Sequence, residues 1–71
     1  MKPDEIRASL NRRVVWRSPN KEKAREYIFT GAIFRRGEKG FFYQAELQDL
    51  KARSIIICKL DEIEALKKGG N

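Results

Sequence analysis

Hydrophobic and polar positions alternate most regularly between Arg25 and Leu50, in the stretch REYIFTGAIFRRGEKGFFYQAELQDL. In its second arm Phe41, Tyr43, Ala45 and Leu47 share one face, and Phe42, Gln44, Glu46 and Gln48 share the other. This is the two-residue period of a strand with a core side and a wet side. In the first arm Tyr27, Phe29 and Ile33 alternate with Ile28, Thr30, Ala32 and Phe34, so both faces are largely apolar. A strand of that length runs roughly 30 Å, long for a small domain. Gly31 in its middle predicts a bend or bulge, which would let each face be covered on a different side. Between the arms, residues 35–40 (RRGEKG) carry two glycines for the positive φ that a tight reversal needs. The pattern predicts a β-hairpin with Phe41 and Tyr43 inward and Phe42 exposed.

The flanking stretches predict smaller elements. Residues 3–10 (PDEIRASL) suit two helical turns: Pro3 fits a first helical position, Asp4 and Glu5 fit the positive end, and Ile6 and Leu10 fall on one face. Asn11 is the expected stop. Arg12 to Arg17 reads as a strand with Val14 and Trp16 on one face and Val15 opposite. Ser18 to about Ala24 is polar, contains Pro19 and reads as a loop. After a turn at residues 48–53, the contiguous apolar run of Ser54 to Lys59 predicts a strand inside the sheet. Asp61 with Glu64 has capping-box spacing, and Lys67, Lys68 and Gly69 suit a helix end. A short helix from about Asp61 to Lys68 is expected, then a disordered tail at 69–71.

These elements predict an all-β fold in one domain over residues 1–68. The expected form is a small SH3-like barrel or open roll of four to five antiparallel strands with short N- and C-terminal helices. A chain of 71 residues holds one domain and encloses no sizeable substrate cavity. Hydrophobic residues at 41% suffice for a folded core despite 37% charged residues. No run approaches the ~20 apolar residues of a membrane span, and the first residues lack a signal-peptide apolar region. A cytoplasmic protein is the expectation.

The chain has one cysteine and no histidine. Zinc sites of the usual ligand types and Cys–His or Ser–His–Asp machinery are therefore excluded. Cys58, in the run SIIICKL, reads as a buried structural thiol. Asp61, Glu62 and Glu64 are explained by helix capping and polarity, and Gly37-x-x-Gly40 by turn chemistry. Neither carries a catalytic or phosphate-loop signature. Glu46 on the wet face is expected to pair with a basic residue such as Arg35. No catalytic residue, cofactor or metal is expected, and the chain reads as a non-enzyme.

Charge changes the picture more than composition does. Of a net charge of +6, residues 12–39 hold nine basic side chains against three acidic ones. Arg12, Arg13, Arg17, Lys21, Lys23, Arg25, Arg35, Arg36 and Lys39 are thus candidate phosphate contacts, the footprint of a polyanion binder. Phe42, exposed beside Arg35, Arg36 and Lys39, is the candidate stacking residue. The partner would be the phosphate backbone of DNA or RNA, bound with little sequence readout. The other reading is a protein-interaction adaptor that uses Phe42 and the strand edges. Either fits a monomer or weak homodimer.

Two resemblances bear on the hairpin. KGFFYQ, Lys39 to Gln44, resembles the Lys-Gly-Phe-x-Phe core of the RNA-binding strand in cold-shock domains and RRMs, where alternate aromatics stack on bases. Phe42 stands where those motifs have glycine or alanine. Exposing Phe41 and Tyr43 would also carry Ala45 and Leu47 outward and turn Gln44 and Glu46 inward unpaired, so a core role is the preferred reading. The pattern from Tyr27 to Asp49, followed by SIIICKLDEIE, resembles short uncharacterised proteins carried by bacterial mobile elements, over about half the chain. That resemblance implies an SH3-like barrel and an accessory role in phage or conjugative-element biology. It names no ligand.

Overall fold

The computed structural model describes residues 1–17 and 24–66. The expected disordered tail, and most of the loop after Arg17, lie outside the described residues. The chain opens with a 3-10 turn, Pro3–Glu5, that runs into α1 (Ile6–Ser9). Asn11 ends it in the left-handed region at φ 64, a conformation asparagine tolerates better than most residues. Five strands follow: β1 (Arg13–Trp16), β2 (Arg25–Gly37), β3 (Gly40–Asp49), β4 (Ser54–Lys59) and β5 (Ile63–Ala65). A second 3-10 turn, Leu60–Glu62, joins the last two.

The strands form one antiparallel sheet in the order β4-β3-β2-β1-β5. Of the two closures expected, it is the open roll: β4 and β5 are edges, and no pairing joins them among the described residues. The long hairpin is its spine. The register of β2 against β3 slips between Phe29 and Gly31, so the predicted irregularity falls at the glycine. Thr30 becomes the extra residue, and its hydroxyl donates to the Glu46 carboxylate at 2.8 Å. With no Cβ at Gly31, that carboxylate folds across the strand; a Cβ there would lie 3.3 Å from Glu46 Oε2. Glu46 therefore answers the bulge rather than Arg35.

The core lies on one face of the sheet, here the inner face. Val14, Tyr27, Phe29, Ala45, Leu47, Cys58, Leu60 and Ile63 form it, and Met1, Ile6 and Leu10 from the N-terminal turns pack over it. Val14 and Trp16 share the inner side of β1, as their alternation predicts. Trp16 meets Tyr27 edge-on at 5.6 Å and donates its indole N–H to Glu62 Oε1 at 3.3 Å.

Three expectations are corrected. The C-terminal helix is absent over residues 61–66, where the chain makes the 3-10 turn and β5 instead. Ile63 pairs with Trp16 and is fully buried, and the Met1 ammonium donates to the carbonyls of Leu60 and Ile63 at 3.1 and 2.7 Å. A helix of eight residues is marginal alone, so these long-range contacts outweigh a local capping pattern. The strand Ser54–Lys59 is an edge, not interior. Its alternation puts Ile56 and Cys58 inward and leaves Ile55 and Ile57 exposed. Finally, Ala45 and Leu47 are buried as expected, but Phe41 is 66% exposed and Tyr43 is half-buried.

Candidate nucleic-acid interface

Strand lengths decide which side chains reach solvent together. β1 covers β2 only from Arg25 to Ile28, and β4 covers β3 only from Gln44 to Asp49. Between Phe34 and Tyr43 the hairpin is a bare two-stranded ribbon. It closes through Glu38 and Lys39, with Gly37 opposite Gly40 and Gly40 at φ 122, a backbone shape that side chains resist.

On this ribbon, residues directly opposite each other share a face. Phe34 faces Tyr43 and Arg36 faces Phe41, all on the inner side; Arg35 faces Phe42 on the outer side. The inner side runs past the end of the core. Phe34 is 57% exposed, and its ring stacks on Phe41 with centroids 4.9 Å apart and planes 11° apart. Tyr43, packed against the core, meets Phe34 at the same centroid distance with a tilt of 47°. Offset and tilted ring pairs of this kind hold the ribbon together where neighbouring strands do not.

The sequence-based candidates divide. Arg35, Arg36 and Lys39 come together at the hairpin tip and are exposed. Arg36 points to the aromatic face and Arg35 to the opposite one. Phe42 is exposed at 43%, but its ring is committed: a Cβ on Gly37 would meet its Cε1 at 2.9 Å, so Phe42 lies over the glycine. The other arginines sit away from the tip. Arg12 precedes β1, Arg17 follows it, and Arg25 starts β2 opposite Trp16. Arg13 lies on the outer side, 3.8 Å from the Glu26 carboxylate, an exposed pair of little energetic weight. Lys21 and Lys23 lie outside the described residues. The described basic side chains therefore do not gather on one face.

A shallow groove beside Arg13, Arg25 and Lys51 also carries Glu26 and Asp49. Asp49 Oδ1 already accepts from the backbone N–H groups of Lys51 and Ala52, at 2.9 and 3.2 Å. Mixed charge makes that end a poorer polyanion site than the tip.

Phe34, Phe41 and Tyr43 are the residues that pattern reasoning did not assign to the site. The signal was present in Arg36. It shares the inner face with Phe34, and an unpaired arginine at that position marks where the core stops. Cys58 is buried as expected, and its thiol is pushed up to about 11 by burial, then by the Glu62 and Asp61 carboxylates. Little thiolate exists there at neutral pH, so the group is a poor nucleophile. Among the described residues no group of three or more His, Cys, Asp or Glu side chains is placed to hold a metal ion. Nor is any described helix long and apolar enough to cross a membrane. The chain matches no family model, no curated protein and no solved structure.

Proposed function

We propose that this protein is a small non-enzymatic module that binds nucleic acid through the tip of the β2–β3 hairpin. One observation carries the reading: Arg35, Arg36 and Lys39 meet on a protruding ribbon beside exposed aromatic rings. Arg35 and Arg36 project to opposite faces, so a phosphate backbone crossing the tip finds a cation on either side. Glu38 is the one carboxylate among residues 35–42. Binding works by charge neutralisation and carries little sequence preference. The more distant arginines and the net charge of +6 add attraction at long range. Such a module fits the accessory role that the likeness to bacterial mobile-element proteins implies.

The site is tested by charge removal at each end. Fluorescent single-stranded and duplex oligonucleotides are titrated with the wild type, with a tip variant (R35Q/R36Q/K39Q) and with a distal variant (R12Q/R13Q/R17Q). The tip variant is expected to lose most binding at about 50 mM salt, where phosphate contacts are strongest. The distal variant should weaken only a few-fold. Equal loss from both variants would contradict a site at the tip.

A second reading, a protein-interaction adaptor, draws support from β4. This edge carries Ile55 at 64% and Ile57 at 45% exposure, with unpaired backbone groups that could accept another strand. Contact of that kind is insensitive to salt, which separates the two readings.

A further inference from the structure

Resting on the nucleic-acid reading, we infer that the inner face of the hairpin tip is a stacking site for an unpaired base, so that the preferred ligand is single-stranded. The Phe34–Phe41 pair is the start of a stack. Its planes are within 11° of parallel, and the centroid separation of 4.9 Å is that of offset rings, leaving ring surface uncovered. Phe41 is the outermost ring and the more exposed, at 66% against 57% for Phe34. Toward the turn Gly37 and Gly40 belong to the outer side, where Phe42 lies over Gly37, so on the inner side no paired rung follows Arg36 and Phe41 before the turn residues Glu38 and Lys39. A base laid on Phe41 continues the stack in the direction it is open.

Charge identifies the occupant. Arg36 stands directly across from Phe41 on the same face, and Lys39 lies in the adjoining turn. The paired inner-face residues of the ribbon are Phe34, Arg36, Phe41 and Tyr43, and the tip's one carboxylate, Glu38, lies in the turn beside Lys39, outnumbered by the three cations. A purely apolar protein surface would have to bury Arg36 without a partner, whereas a nucleotide brings its own phosphate to it.

The choice of single strand over duplex follows from magnitudes. A base in a duplex is already stacked on both faces, and extruding it costs a few kcal/mol. One base–aromatic stack returns about 1–3 kcal/mol, which does not exceed that cost. An unpaired base gains the stack without it.

The test compares an eight-residue oligothymidylate with a duplex of equal length, using wild type, Phe41→Leu and Phe42→Leu. Phe41 is exposed enough for Phe41→Leu to keep the fold; unchanged Trp16 emission checks the core, and unchanged amide NMR signals of Gly37 and Gly40 check the ribbon. Wild type should bind the single strand at least 10-fold more tightly than the duplex. Phe41→Leu should weaken single-strand binding by about 5- to 150-fold, the worth of one stack, without changing the salt dependence. Phe42→Leu, on the opposite face, should bind like wild type. In the wild type, ring-proton NMR signals of Phe41 and Phe34 should shift on adding oligothymidylate. Unshifted ring signals, an unaffected Phe41→Leu variant, or equal affinity for duplex and single strand would each overturn the stacking site. With salt-dependent binding retained, any of those results leaves the charge-based reading standing. No binding to either ligand overturns both.

Discussion

Cys58 faces the core from β4, opposite Ala45. Burial is the larger cause that pushes its thiol from 9.0 to about 11, and the carboxylates of Glu62 and Asp61 add to it. The fold therefore favours the neutral thiol. The stability linked to this group is fully present below the unfolded value of 9.0 and is lost as pH rises through about 11. At pH 8 a disulfide reagent should label the native protein far more slowly than the chain in denaturant, and the native rate should climb toward pH 11. Native labelling at pH 8 as fast as in denaturant would contradict this burial. The same scale shows what alternation can and cannot reveal. It assigned Phe41 and Phe42 to opposite faces correctly. It could not show that the inner face outruns its cover, because that depends on how far β1 and β4 extend along the hairpin.

At the scale of elements, β5 shows a local signal overruled by distant contacts. The stretch after Lys59 carries the local signs of a capped helix, yet it folds as a turn and a strand. The decision lies with Trp16, whose strand receives Ile63 and whose indole N–H meets Glu62. Ile63 is fully buried, so Ile63→Ala should cost about 2–5 kcal/mol, the usual range for truncating a buried aliphatic side chain. For so small a core that approaches the whole net stability. A urea titration followed by Trp16 fluorescence measures it, and an unchanged midpoint would mean that β5 does not hold the fold together. The hairpin was legible because its information is local: Gly31 marks the slip, Gly37 and Gly40 close the turn, and period-two alternation runs between them. The edge position of β4 was not legible. Its run of isoleucines resembles that of an interior strand, and only the sheet order reveals that half of them face solvent.

Across the whole molecule, the core and the hairpin tip are separate regions. The core gathers where β1, β4, β5 and the N-terminal turns overlap the spine, and the hairpin carries its last rungs beyond them. Net charge was legible in the sequence, but its focus was not. Nine basic residues between positions 12 and 39 suggested one continuous surface. The sheet instead leaves Arg35, Arg36 and Lys39 at the tip and sets Arg13 against Glu26 elsewhere. The proposed function requires these three tip cations to hold a nucleic-acid backbone. The most direct measurement is the affinity for oligothymidylate across about 50 to 200 mM salt. Three phosphate contacts with a single strand give a slope of about −2 in log affinity against log salt, roughly a 20-fold loss over that range. Arg36→Gln should flatten the slope by about 0.7, one contact's share. A slope near zero in the wild type, or no binding at the lower salt, would contradict phosphate binding by the tip.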